Sequence, residues 1–250
     1  MRLLMDVGNS RLKWALWDGH SLHGQGALEH PGVTRAPWDA LLDAVAERWA
    51  TRPVDPAWVV EVVGPAFRAA CTAWARRRGW PAPRFLEADP ALHGIVSAYR
   101  DPGRLGLDRY AALAGARGLG YESAVVVDCG TAVTLDRLLP GGRHSGGLIL
   151  PGLGLMRRGL GMTPGVGGDV AGCESCVPAV CTGDAVASGT LLGLAAAIDA
   201  LVSRLGDPPP AAAILLTGGD APRLLPYLTC DALQVPDLVL HGLVRASEGG

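Results

Sequence analysis

The chain has 250 residues, 49% apolar and 18% charged, with 22 Lys and Arg against 24 Asp and Glu. That is enough apolar material for one large domain or two of ordinary size. A net charge of −2 without a basic tract leaves nucleic acid out as a default partner. Arg76-Arg77-Arg78 reads as the solvated end of a helix. Met1 to Met5 meets Asp6 too soon for a signal segment, and no apolar stretch reaches the roughly 18 residues of a membrane span. The expectation is a cytoplasmic protein with no membrane partner and reduced thiols at its six cysteines.

In chain order, the first 30 residues read as a β-meander. Its opening hairpin joins Leu3-Leu4-Met5 to Trp14-Ala15-Leu16-Trp17 through Asp6-Val7-Gly8-Asn9-Ser10. Trp38, Leu41, Leu42, Val45, Ala46 and Trp49 fall at helical spacing, with Pro53 and Pro56 as stops. A strand over 57–63 closes at Gly64-Pro65, a helix over 66–78 follows, and a strand over 84–86 comes next. Alternating strands and helices predict an α/β unit with a mixed sheet. Residues 99–109 read as a polar turn that opens a helix over 110–117.

The opening phrase then returns. Ala124 to Val127 leads through Asp128-Cys129-Gly130-Thr131-Ala132 into Val133-Thr134-Leu135. Gly141-Gly142 makes the next turn, and 144–152 is a strand running into a Gly-lined entry. The span 159–172 reads as a flexible loop, 188–205 as a small-residue helix, and Pro208-Pro209-Pro210 as a spacer. Ala213 to Asp220 reads as a buried strand that ends in a Gly turn at a helix start. Two Asp-x-Gly hairpins imply a duplicated domain, with the turns facing each other across a cleft. A carboxylate, a Gly that lets backbone N–H groups approach, and a hydroxyl or amide suit phosphate and cations.

Cys173-x-x-Cys176, followed by Cys181, leaves three readings open: zinc, a redox pair, or incidental thiols in a loop. A structural zinc site needs four ligands, and no second pair at suitable spacing follows, although His144 or another chain could complete the set. The histidines are otherwise scattered and carry no assigned role.

The duplicated hairpin with the late Thr217-Gly218-Gly219 turn resembles the acetate and sugar kinase, heat-shock ATPase and actin superfamily. Three further blocks resemble type III pantothenate kinases. They are Asp6-Val7-Gly8-Asn9-Ser10-Arg11-Leu12-Lys13, Gly106-Leu107-Asp108-Arg109 with Tyr99 and Pro102 upstream, and the run from Asp128 to Asp136. Gly146 to Gly152 and Thr182…Ser188-Gly189 fall in register with two more blocks of that family. The resemblance implies two ribonuclease-H-like domains, 1–118 and 119–250, each a mixed β-sheet flanked by helices, with ATP in the cleft between them.

The reaction the resemblance implies is phosphorylation of pantothenate to 4′-phosphopantothenate by ATP, the first step of coenzyme A biosynthesis. Residues 6–13 and Thr131 are then expected at ATP, with Asp6 near Mg²⁺. Asp108 is the expected general base. Tyr99, Gly106, Leu107, Asp108, Arg109 and Thr182 are the expected substrate contacts. Asp128 is expected to hold a monovalent cation, K⁺ or NH4⁺, and a homodimer is implied. Gly218, Gly219 and Asp220 fit an adenosine-side turn. Two alternatives are a non-catalytic accessory relative and a kinase of another small hydroxylated substrate. Retention of Asp6, Asp108, Arg109, Asp128 and Thr131 weighs against the first, and the Gly106–Arg109 block with Tyr99 and Thr182 against the second.

Overall fold

The computed structural model describes residues 1–32, 37–48, 55–166, 172–205 and 212–248. Trp49, Pro53, Pro208-Pro209-Pro210 and part of the 159–172 span lie outside them. The chain divides into two compact units, Met1–Gly120 with Leu238–Gly250, and Tyr121–Asp237.

The first unit opens with a meander, β1 (Arg2–Val7), β2 (Arg11–Trp17) and β3 (Leu22–Glu29). Then come α1 (Trp38–Ala46), β4 (Trp58–Glu61), α2 (Pro65–Arg77), β5 (Arg84–Phe85), α3 (Pro90–His93), β6 (Val96–Ser97) and α4 (Leu107–Gly118). Its main sheet runs β3-β2-β1-β4-β5. The meander pairs are antiparallel, whereas β1–β4 and β4–β5 are parallel.

The second unit contains β7 (Ala124–Cys129), β8 (Ala132–Leu139), β9 (Arg143–Pro151), α5 (Leu153–Gly161), α6 (Thr182–Arg204), β10 (Ala213–Thr217), α7 (Ala221–Leu224) and β11 (Ala232–Gln234). Its strands run β9-β8-β7-β10-β11, antiparallel in the meander and parallel beyond β7. The duplication read from two short hairpins is thus a duplication of strand order and direction. The helix α8 (Leu238–Glu248) closes the chain.

One face of each sheet carries a large apolar core. In the first unit Leu3, Met5, Val7, Leu12 and Trp14 pack with Trp38, Leu42 and Val45 of α1 and Phe67, Cys71 and Trp74 of α2. The arginine run at the end of α2 ties these helices together. Arg77 pairs with Asp39 at 2.7 Å and Arg78 with Asp43 at 2.8 Å. The Arg78 hydrogen bond holds the Asp43 carboxyl below its ordinary range. In the second unit Val125, Val127, Cys129, Val133 and Leu135 pack under Leu191, Leu194, Ala195 and Ile198 of α6.

Alternation along a strand sends every second side chain to the other face. Leu4 and Asp6 therefore leave the α1/α2 side for the side where α8 meets β1 and α4 meets β4. Asp6 is the fifth of six residues in β1, and Asp128 the fifth of six in β7. Both carboxylates are displaced from the main core by the same geometry.

Several sequence expectations change. The helix expected over 110–117 begins at Leu107, so Asp108 and Arg109 lie within its first turn rather than before it. The helix expected from Ser188 begins at Thr182. Gly159 to Gly161, read as loop, complete α5. Glu61, out of character in an apolar strand, is buried; it accepts hydrogen bonds from the Val63 and Gly64 amides and from Arg68, which shapes the entry to α2. One helix, α6, is long and apolar enough by length and composition to cross a membrane, contrary to the expectation of none. Half of that apolar window is buried inside the protein, where it forms the core of the second unit.

The last helix also departs from a simple two-part division of the sequence. The boundary expected at 118/119 gave everything after it to the second domain, but α8 clusters with the first unit. The reason is steric and apolar. A Cβ on Gly115 would overlap the Leu238 carbonyl, and one on Gly242 would overlap the Ala111 carbonyl, so α4 and α8 cross backbone to backbone. Leu238, Leu240 and Leu243 are buried along the seam. Arg2 donates to the Ser247 carbonyl at 2.7 Å and Arg245 to the His93 carbonyl at 2.9 Å.

A Gly242→Leu change is expected to force α4 and α8 apart and to lower the thermal unfolding midpoint, with a cost of about 1–3 kcal/mol or more. Gly193 faces open space on α6. Gly193→Ala is expected to raise the midpoint modestly, by about 0.5–1 kcal/mol of helix propensity. Differential scanning fluorimetry on both variants checks the pair.

Candidate active site

The first hairpin sets a carboxylate beside an ammonium. Asp6 and Lys13 are direct cross-strand partners, and the Lys13 Nζ lies 3.9 Å from the Asp6 Oδ2. Asp6 is only 8% exposed. Between the strands the chain turns tightly, with the Gly8 amide donating to the Arg11 carbonyl at 3.0 Å. Asn9 is exposed, and Gly8 and Ser10 are half-buried. Val7 and Leu12 are fully buried in the core, so only their backbones are available to a ligand. Arg11 points elsewhere and pairs with Glu29 at 2.9 Å.

His30, to which the sequence reading gave no role, braces this turn. Its Nε2–H donates to the Gly8 carbonyl at 2.9 Å, and its backbone amide donates to the Ser10 carbonyl at 3.0 Å. The ring stands edge-on to Trp38 at 5.0 Å. No local spacing signals this contact, because the residues are 22 apart in sequence.

The Gly106 block lies at the start of α4. Asp101 accepts a hydrogen bond from the Gly103 amide and closes the preceding turn. Gly106 is the N-cap, and a Cβ there would stand 2.6 Å from the Asp108 Oδ1, so this position admits only glycine without displacement. Asp108 accepts from the Arg109 amide at 2.8 Å and sits half-buried in the first turn, where the helix dipole favours a carboxylate. Arg109 is 7% exposed. Its Nη1 donates to the Tyr99 hydroxyl at 2.6 Å, and its guanidinium lies 5.6 Å from the Tyr99 ring centre. Two residues singled out separately in the sequence are thus one rigid pair.

In the second unit three glycine-bearing segments converge on the Asp128 hairpin. The Gly130 amide donates to the Ala132 carbonyl, and the Gly152 amide to the Thr131 carbonyl, each at 3.1 Å. A Cβ on Gly152 would overlap the Gly130 carbonyl. Gly218, with φ +94°, lies so close to the Asp128 carboxylate that a Cβ there would overlap it. The Asp220 amide donates to the Cys129 carbonyl at 2.9 Å. Asp128 is half-buried among carbonyl oxygens and small residues.

Thr182 stands apart from this cluster. The N-cap of α6 is Cys181, and Thr182 is its first helical residue. Thr182 lines a groove of about 710 Å³ with Met156, Leu160, Val180 and Val186. Behind it Arg157 binds the Thr190 hydroxyl, the Glu174 carboxylate and the Ala187 carbonyl. Among the described residues, no three His, Cys, Asp or Glu side chains converge as metal ligands. His144, offered as a fourth zinc ligand, is buried and bonded to Asp136 at 2.8 Å.

The donor sets suit hard cations rather than zinc. Asp6 offers a near-buried carboxylate, the type of oxygen that Mg²⁺ takes. Asp128 offers a carboxylate near the Cys129 carbonyl, both close against Gly218, and oxygen donors of this kind suit hard cations.

Comparisons with known proteins bear on the family and the fold. Residues 2–204 match the family model described as type III pantothenate kinase. A type III pantothenate kinase of Alkalilimnicola ehrlichii is 40% identical over 256 residues, covering 99% of this chain and 98% of its own. Among solved structures, a Baf family transcriptional activator from Campylobacter jejuni shares the fold with a TM-score of 0.60 and 21% identity, covering 98% of this chain and 97% of that one. A 2-dehydro-3-deoxygalactonokinase from Sinorhizobium meliloti aligns with a TM-score of 0.57 and 16% identity over 99% of this chain and 98% of its own. These structural likenesses speak to the fold alone: an α/β fold of mixed sheets with flanking helices. The full-length relative and the family match together place the chain in the type III pantothenate kinase family.

Proposed function

We propose that this protein transfers the γ-phosphoryl group of ATP to the primary hydroxyl of pantothenate, the first step of coenzyme A biosynthesis, in the cytoplasm. The observation that carries the reading is the first turn of α4. There Asp108 is presented at a helix N-terminus beside a buried arginine locked to Tyr99.

Phosphoryl transfer makes few covalent demands on a protein and many demands on position and charge. The hydroxyl oxygen of pantothenate bonds to the γ-phosphorus while the bond to the bridging oxygen of ADP breaks. Asp108 orients the hydroxyl and takes its proton late in the transfer, since an alcohol is far less acidic than an Asp. Arg109, permanently charged and held by Tyr99, supplies a fixed positive charge to an anionic group of the substrates. Thr182 completes the pantothenate contacts. Gly106 and Leu107 act through backbone that the tight first turn of α4 fixes.

The turn at Gly8, Asn9 and Ser10 offers amides and a hydroxyl to the ATP phosphates, with Lys13 adding charge and Thr131 a further hydroxyl. Val7, Arg11 and Leu12 would meet the nucleotide through their backbones, while their side chains hold the hairpin. Asp6 would hold Mg²⁺, and Asp128 would hold K⁺ or NH4⁺. Bound there, these cations neutralise phosphate charge as it redistributes.

We further propose a homodimer. Large apolar side chains on the second unit stand in solvent, with Met162 86% and Val180 93% exposed and Leu155 and Leu160 beside them in sequence. A second copy of the chain is the occupant that suits such a face in a member of this family.

Three outcomes test these assignments. Asp108→Asn is expected to cut kcat by roughly 10²-fold or more while leaving the unfolding midpoint in place, with 4′-phosphopantothenate followed by mass spectrometry. Equal product from the variant would remove Asp108 from the chemistry. Replacing K⁺ by Na⁺ is expected to lower the rate by roughly tenfold, and Asp128→Asn to abolish the difference between the two ions. A rate indifferent to K⁺ in the unaltered protein would withdraw the cation role of Asp128. Met162→Glu combined with Val180→Glu is expected to convert the dimer to a monomer in light scattering; a monomeric parent would end the dimer proposal.

A further inference from the structure

The mechanism leaves one reactive cluster unused. Cys173 is exposed, Cys176 is half-buried, and a two-residue turn through Glu174 and Ser175 joins them. The Cys173 amide and carbonyl, the Cys176 amide and the Glu174 side chain are fastened to α6 or its neighbours. The buried Ser188 hydroxyl donates to the Cys173 carbonyl at 2.8 Å and accepts from the Cys176 amide at 3.0 Å, so one side chain clasps both ends. The Cys173 amide donates to Asp184 at 2.8 Å. Glu174 is clamped between Arg157 and Arg223, which hold its carboxyl below the ordinary range, Arg223 foremost. Only the thiols are left to react.

From this geometry we infer that Cys173 and Cys176 form a dithiol site that takes a low-molecular-weight disulfide and closes to an intramolecular disulfide. The Cys173 thiolate attacks one sulfur of the small disulfide. A mixed disulfide forms at Cys173 and one thiolate leaves. The Cys176 thiol, losing its proton to solvent, then attacks the Cys173 sulfur and displaces the second thiolate. Two protein thiols are oxidised and one small disulfide is reduced to two thiols.

The surroundings assign these roles. Cys173 stands in solvent and Cys176 is half-buried; a hydrogen bond from the Cys176 thiol, followed by the Ser175 backbone amide, holds the Cys173 thiol below its ordinary value, and the Ser175 hydroxyl lies 3.7 Å from its sulfur. The same bond pushes Cys176 up to about 11, as expected for a resolving thiol that stays protonated until the mixed disulfide has formed. The remaining shifted thiols contrast with it. Burial raises Cys71 to about 12, Cys129 is raised further by burial, and Cys230 is pushed up to about 12, so each is protonated and shielded. The exchange uses no group assigned to phosphoryl transfer, so it can fail while the kinase reading holds, and the reverse.

The test uses the reduced full-length chain, incubated with oxidised glutathione and mapped by peptide mass spectrometry. The expected product is a peptide that has lost two hydrogens and carries a Cys173–Cys176 bond, restored by dithiothreitol. Cys176→Ser is expected to trap one glutathionyl group on Cys173. Cys173→Ser is expected to slow modification of this loop by about tenfold or more. Both variants place an oxygen for a sulfur in an outer loop, and a matching unfolding midpoint shows that the fold is intact. No bond between Cys173 and Cys176 in the parent, a bond from either to Cys181 instead, or equal reactivity of Cys173→Ser would each overturn the assignment.

Discussion

The period of two along a β-strand is the constraint on which the rest of this structure depends. In β1 the side chains of Leu3, Met5 and Val7 enter the core, and in β7 those of Val125, Val127 and Cys129 do the same. Asp6 and Asp128 fall between them and so are carried to the opposite face. A shift of one residue would bury two carboxylates in apolar cores at a cost of several kcal/mol each. The apolar cores therefore fix where the acidic groups stand, without any contact to the acids themselves. Because the two sheets share strand order and direction, the same device operates twice.

A second layer of constraint is the absence of side chains. Around the Asp128 hairpin, Gly130, Gly152 and Gly218 leave backbone against backbone, and the carboxylate lies against the last of them. At α4, Gly106 makes room for the Asp108 carboxylate, while Gly115 and Gly242 let α8 lie against α4. The same helix thus presents the candidate base at one end and anchors the chain's last helix along its length. A substitution at Gly115, Gly152 or Gly242 would meet backbone, which cannot yield, whereas one at Gly106 or Gly218 would press on the Asp108 or Asp128 carboxylate and so move a functional group.

Several polar residues act as braces. Tyr99 fixes Arg109, His30 fixes the Gly8 turn, and Arg157 with Arg223 fixes Glu174. Each holds a loop by a charge-assisted or directed hydrogen bond instead of by apolar burial, which suits segments that must stay near the surface and still keep one shape. The thiol turn at Cys173 and Cys176 belongs to this class, with its backbone held by Ser188 and Asp184.

The sequence by itself determined the duplicated hairpin, the α/β class, the order of the site blocks and the family, because these are written in local signals. Apolar alternation, an Asp-x-Gly turn and a Gly-x-Asp-Arg block need no distant partner to be read. Only the tertiary structure decided that Asp108 lies inside α4 rather than ahead of it, since the start of that helix is fixed by Gly106 and the packing behind it. It alone decided that α8 joins the first unit, that His30 supports a turn 22 residues away, and that Glu61 caps the entry to α2. The packing of α8 and the support from His30 rest on contacts between residues far apart in the chain. Their energy comes from excluded volume and from buried hydrogen bonds, and neither leaves a periodic trace in the sequence.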